Sequence, residues 1–298
     1  MKQDSFHAEE DHEECPEKEA SFQFHVSGHS IKSPMHGNED RLIIHHDDEK
    51  DSNLQVYVSI DGHGGDEASE YVHANFISIL DEEMRTRGLL DDNEKTIVVN
   101  EWTQMLHDVF MKLDLRFCKW AKRRKVESGA CVCALLIVQH KMAFVANVGD
   151  CRTIVIPSST SSPSRKANKV KALSVDHKAS HPAEMKRIQA AGGIVMHGRI
   201  DGVLEPSRAI GDLDIKTPEK KGQLIAIPEI KQYEIVGGET FIVATDGVWD
   251  VVTNARLAVQ LSAWEEAEIA QEIVELARDM GSMDDISAIV VTVSAQKS

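Results

Sequence analysis

The chain has 298 residues, of which 42% are hydrophobic, and its 33 Lys plus Arg stand against 49 Asp plus Glu for a formal charge of -16. That length and apolar content suit one large folded domain or two modest ones. The acidic excess argues against nucleic acid or an anionic membrane as the main partner, because such surfaces recruit basic patches.

Residues 1–20 are acidic and without hydrophobic period, which predicts a disordered tail ahead of a folded unit over residues 21–295, with 296–298 a short C-terminal tail. Ser21 to Ser27 alternates as a first strand, Gly28 to Gly37 is a loop, and Glu39 and Asp40 open a second strand. A polar turn over Asp47 to Asn53 leads back into a strand at Val56 to Ile60. That strand ends in Asp61-Gly-His-Gly-Gly, where glycines around His63 leave the backbone bare and put a carboxylate and an imidazole on one exposed turn. A helix over Asp66 to Leu80 follows, then a longer one whose apolar face carries Trp102, Leu106, Phe110, Leu113, Phe117 and Trp120. The basic run Lys122 to Lys125 complements the C-terminal end of that helix.

Ala130 to Val138 is almost wholly apolar, as befits a central strand buried on both faces. With Met142 to Val148 and Arg152 to Ile156 it reads as a three-strand meander. A low-complexity loop at Ser158 to Asn168 precedes a strand over Lys169 to Val175, which ends at Asp176. Pro182 opens a helix that Gly192-Gly193 closes. The glycine-rich segment from Ile194 to Gly222 reads as a functional flap. Strands at Ile230 to Ile235 and Thr240 to Thr245 come next, the second ending in Asp246-Gly247. Helices over Ala255 to Ala263 and Glu265 to Met280 lead to Asp284 and Asp285, at the mouth of a last strand from Ile286 to Val293. Strands in hairpins and helices in separate pairs exclude a doubly wound parallel sheet and predict an α+β fold of stacked antiparallel sheets covered by helices.

Cys15, Cys118, Cys131, Cys133 and Cys151 have no regular spacing, as expected of reduced thiols. Cys131 and Cys133 share one strand face, but no second Cys or His pair at a zinc-site spacing follows. The N-terminus lacks the pattern of a secretory signal and no apolar run approaches the ~20 residues of a membrane span, so the expected location is the cytoplasm, with the nucleus open.

The chemistry lies in acidic side chains at strand ends and turns: Glu39, Asp40, Asp61, Asp176, Asp246, Asp250, Asp284 and Asp285, with His63 as the attached imidazole. A single Asp-Gly is often only a turn. Two buried strands ending this way can converge where neighbouring strands stop at one edge, and carboxylates so gathered need a cation. An all-oxygen set selects hard cations such as Mg²⁺ or Mn²⁺, and two such ions can share a water and clamp a phosphoryl oxygen. The chain has no Gly-x-Ser-x-Gly elbow, Walker loop or Gly-x-Gly-x-x-Gly.

The ordered set Asn38-Glu-Asp, Asp61-Gly-His-Gly-Gly, Ser128-Gly-Ala, Asn147-Val-Gly-Asp-Cys-Arg, Asp176-His-Lys, Ala191-Gly-Gly, Ser207-Arg-Ala-Ile-Gly-Asp, Asp246-Gly-Val-Trp-Asp and Gly281-Ser-Met-Asp-Asp resembles the PP2C (PPM) family of metal-dependent serine/threonine phosphatases over residues 21–295. The resemblance implies an α/β/β/α sandwich of two packed antiparallel sheets flanked by helix pairs, and two Mn²⁺ or Mg²⁺ ions, with Asp61 bridging both, Glu39 and the Gly62 carbonyl completing one site, and Asp246 with Asp284 completing the other. Asp176 and Asp250 match the positions credited with a third, weaker site. It further implies in-line attack by an activated water on phosphoserine or phosphothreonine proteins, with His63 as general acid, in a chain expected to be monomeric. The family's phosphate-gripping arginine is replaced by Met35, for which Lys32, His29 or His36 could stand in. That departure motivates a second reading, an inactive pseudophosphatase acting as a binding module. The negative charge disfavours a nuclease, and Lys216 in Asp212-Leu-Asp-Ile-Lys rules out a dehalogenase motif.

Overall fold

The structure, a computed structural model, describes residues 22–46, 54–89, 96–157 and 170–295. The predicted acidic tail, the turn at 47–53, the loop at 158–168 and residues 296–298 lie outside the described residues. Two antiparallel sheets carry the fold. One runs β11 (Glu229–Glu234), β5 (Met142–Val148), β4 (Gly129–Val138), β3 (Leu54–His63), β2 (Arg41–His45). The other runs β1 (Phe22–Ile31), β13 (Ile286–Ala295), β12 (Thr240–Ala244), β6 (Arg152–Ile156), β7 (Lys171–Ala172).

Side-chain alternation along the strands builds three apolar layers. Val56, Val58 and Ile60 of β3 and Val132, Ala134 and Leu136 of β4 face α1 (Glu67–Arg87) and α2 (Val99–Arg124). Their alternates Tyr57, Cys133, Leu135 and Ile137 meet Phe241, Val243, Ile289 and Val291 between the sheets. On the far side Ile242, Ala244, Ile286 and Val290 pack under α4 (Asp246–Trp249), α5 (Asn254–Gln260) and α6 (Ile269–Asp279). The predicted four-layer sandwich is therefore what forms, and β4 is buried throughout, as its composition requires.

Two expectations need correction. The predicted meander breaks after β5: β6 pairs not with β5 but with β12 in the opposite sheet. The corner is Gly149, with φ 107°, where an added Cβ would strike Cys131, so the chain can cross the sandwich there. The predicted strand from Lys169 shrinks to β7 because ladder bonds give way to side chains. The Ser174 hydroxyl accepts from Thr153 N, and the Glu229 carboxylate accepts from Val175 N.

The flap is organised by α3 (Pro182–Ala190), the hairpin β8 (Val195–Met196) with β9 (Arg199–Ile200), and β10 (Ile210–Gly211), which pairs with the start of β4. Its own small core holds Ala179, Ile188, Ile200, Ala209 and Leu224.

Candidate active site

β3 and β12 belong to different sheets, so Asp61 and Asp246 meet across the sandwich at one edge rather than along neighbouring strands. Asp246 opens the short helix α4, and Asp61 is two residues short of the end of β3. Together with Asp150, at the corner between β5 and β6, they bring carboxylate oxygens within 4.8 Å of one another. Gly62 must be bare here, since a Cβ would lie 2.6 Å from the Glu39 carbonyl oxygen.

These three line a polar cavity of about 370 Å³ together with Glu39, Gly62, His63, Asp250 and Asp284. The cavity therefore gathers every predicted metal-site residue except Asp176. The Asp176 carboxylate is instead taken by Arg152, at 2.8 Å from Nε and 2.5 Å from the terminal nitrogen. Asp150, 2% exposed, stands in the cluster. Its signal was the strand-end Gly149-Asp150, which by itself reads as a turn.

Asp40 and Asp285 shape the site from behind. Asp285 accepts Ser33 N at 2.5 Å and Glu39 N at 2.7 Å, and Asp40 accepts the Thr245 hydroxyl at 3.0 Å. The two buried carboxylates thus stitch the β1–β2 connection to the ends of β12 and β13.

The electrostatics follow from burial and crowding. Burial, then Asp246, Asp40 and Asp150, push the Asp61 carboxyl well above the usual range. Burial, then Asp150 and Asp250, do the same to Asp246. Asp150 is raised by burial against the pull of Lys178, whose ammonium lies 3.9 Å away while bonding Asp250 at 2.8 Å and Glu205 at 3.0 Å. Several hard oxygen donors with so little cationic compensation fit divalent ions.

His63 ends β3, and its Nε2 lies 2.9 Å from Oδ1 of Asp212, the last residue of the Ser207-Arg-Ala-Ile-Gly-Asp motif, which the sequence did not connect to His63. Burial alone would lower the imidazole, but Asp212, with Asp150 and Glu39 beyond it, holds it above its ordinary value. Of the cations proposed for phosphate, His36 lines the cavity, whereas Lys32 and His29 do not. Met35 is 76% exposed and lines an adjoining pocket that also touches His36, Asp246 and Asp284. Arg199 of the flap reaches the cavity wall, bonded to Glu205 at 2.6 Å.

Fold and site together define a two-sheet sandwich protein with a metal-competent acidic cavity at one edge. The protein phosphatase 2C family model matches residues 24–286, and the chain belongs to that family. It is 34% identical over 241 residues to probable protein phosphatase 2C 76 of Arabidopsis thaliana, covering 79% of this chain and 51% of that one. Against probable protein phosphatase 2C 7 of rice (Oryza sativa subsp. japonica) identity is 32%, covering 81% and 58%. The chain thus spans about half the length of these curated relatives. Among solved structures, a C. elegans sex determining protein superposes with TM-score 0.75 at 25% identity, over 90% of this chain and 64% of that one. A serine-threonine phosphatase 2C from Toxoplasma gondii shares the fold, with TM-score 0.76 at 21% identity over 91% and 95%.

Proposed function

We propose that the chain is a metal-dependent protein serine/threonine phosphatase using two Mn²⁺ or Mg²⁺ ions. The observation that carries this reading is the approach of Asp61, Asp150 and Asp246 within 4.8 Å on a cavity that also presents His63. Asp61, Asp246, Glu39, Asp284 and the Gly62 carbonyl would hold the ions, and Asp150 with Asp250 is better placed than Asp176 for a third. When bound, the ions supply positive charge for the phosphoryl oxygens and acidify a water.

The chain's own residues do the remaining work. Asp285 fixes the backbone at Ser33 and Glu39, so the Glu39 side chain enters the cavity from a pinned strand end. His63 gives a proton to the departing Ser or Thr oxygen, whose alkoxide is otherwise a poor leaving group. Arg199 and His36 on the walls receive the phosphoprotein in place of the guanidinium that Met35 lacks.

The test is hydrolysis of p-nitrophenyl phosphate and a phosphothreonine peptide at millimolar Mn²⁺, with Asp246→Ala as control. Turnover well above the control is expected. Exposed Met35 favours one competing reading, a scaffold that binds without turnover, and activity no greater than the control would establish it.

A further inference from the structure

We propose that Asp212 is the positioning residue for His63, holding the imidazole through Nε2 so that Nδ1 is the ring atom that delivers the proton to the leaving oxygen. The inference rests on the general-acid reading of His63. Asp212 lies 149 positions away in sequence, yet its Oδ1 is 2.9 Å from the ring nitrogen. It is 4% exposed, and its other oxygen, Oδ2, has no hydrogen-bond partner among the described residues. An aspartate serving only a turn would spend its oxygens on nearby backbone N–H groups. This one is buried with its side chain turned to the imidazole, a costly arrangement for a purely structural group.

The surrounding backbone is shaped to permit the contact. Asp212 adopts φ 57°, a region that non-glycine residues seldom occupy, and its N–H donates to the Ser128 carbonyl at 3.2 Å. Gly211 N donates to Asp114 at 2.9 Å, which ties the turn to α2. Gly129 pairs with His63 on one side and Gly211 on the other. An added Cβ at Gly129 would fall on both the Asp212 carboxylate and His63 Nε2, so the missing side chain makes room for the pair.

The proton balance is simple. The P–O bond breaks with its electron pair left on the substrate oxygen, which takes the proton from Nδ1. The ring is then neutral, with its remaining hydrogen on Nε2 donated to Asp212. Without Asp212 the ring can rotate or adopt the other tautomer, and the proton is no longer aimed.

The experiment compares a phosphothreonine peptide, whose alkoxide must be protonated, with p-nitrophenyl phosphate, whose phenolate leaves unaided, at saturating Mn²⁺. For Asp212→Asn the peptide kcat is expected to fall about 10- to 100-fold and the aryl phosphate kcat about tenfold less, with little change in KM. Gly129→Ala, which keeps both partners but crowds them apart, should show the same selectivity. Equal losses on both substrates, or no loss, in Asp212→Asn would overturn the proposal. His63→Gln separates the two readings: if it is selective while Asp212→Asn is not, only the positioning role fails, and if it too is unselective, the general acid itself is misassigned. A measurement free of any folding defect is the ring ¹⁵N spectrum of the wild-type Mg²⁺ form. It should show the neutral His63 with its hydrogen on Nε2, and a hydrogen on Nδ1 overturns the proposal.

Discussion

At the residue scale, Asp150, to which the sequence analysis gave no role, lines the acidic cavity, whereas Asp176, expected at a third metal position, is bonded by Arg152. Asp176 is neutralised by a forked Arg152, which also stacks on Trp249 and bonds Asn254. Asp176→Asn should therefore cost roughly 1–3 kcal/mol of stability through a weakened charged pair, and leave metal affinity alone. Asp150→Asn should weaken metal binding, read by calorimetric titration with Mn²⁺; the reverse pattern would return Asp176 to the site. Both carboxylates stand in quoted motifs at the end of a predicted strand, and local sequence does not encode that Asp150 is buried in the cavity while Arg152 reaches Asp176.

A second residue carries a pH signature. His177 is 3% exposed and its pKa is lowered to about 3, by burial first and then by Arg208. A histidine so depressed favours folding only while it is neutral. The unfolded chain takes up its proton as pH falls below ~6.5, while the folded chain resists until about 3, so the stabilisation present above that window is lost across it. Glu184, lowered to about 2 because Arg208, Arg187 and Ser207 outweigh its burial, loses its own contribution further down, between the ordinary Glu range and about 2. In chelated protein the buried carboxylates with raised pKa values gain stability as pH falls, so His177 is read by difference: between pH 7 and pH 5 the urea midpoint of the wild type should drop relative to that of His177→Asn, whose amide oxygen can replace Nδ1 as acceptor for Gly149 N. An unchanged slope in that variant would remove His177 as the cause.

Among the elements, the corner after β5 does the most to place the site. Gly149 sends the chain across the sandwich and sets Asp150 facing Asp61, with a positive φ and no room for a side chain beside Cys131. Gly149→Ala combines left-handed strain with a clash against a buried strand, so a loss of about 2 kcal/mol or more is expected in denaturant titrations. Metal affinity should fall with it, because Asp150 is the next residue; stability within ~0.5 kcal/mol of wild type would show that the corner can relax. The strands themselves were legible, since β3, β4, β12 and β13 are near-continuous apolar runs that suit burial on both faces. The crossing was not, because a short glycine turn serves a meander and a sheet-to-sheet corner equally well. Long-range partners decide between them: β12 pairs with β6 and β11 with β5. The same limit hid the Asp212 contact, whose two residues come together only once β10 docks on β4.

For the whole molecule, the sandwich concentrates like charge where its two sheets meet, in a chain already carrying -16. Folding without ions must bury Asp61, Asp150 and Asp246 close to one another; burial first raises all three pKa values, and neighbouring carboxylates add to it at Asp61 and Asp246. Ions that bind only the folded state add RT ln(1 + [L]/Kd), about 2.7 kcal/mol at a hundredfold excess over Kd, or a rise of roughly 5–10 °C in melting temperature for a domain of this size. Mn²⁺ should raise the melting temperature of the wild type by that order and a chelator should reverse it. Asp246→Asn removes one of the opposed charges while keeping the shape, so in chelator it should melt above the wild type, yet respond little to Mn²⁺ and hydrolyse no phosphopeptide. That crossing of stability and function is specific to a site whose ligands are held together against their own repulsion. If chelated Asp246→Asn melts below the chelated wild type and still gains from Mn²⁺, the carboxylates are held by structural bonds, and the cations act elsewhere on the acidic surface.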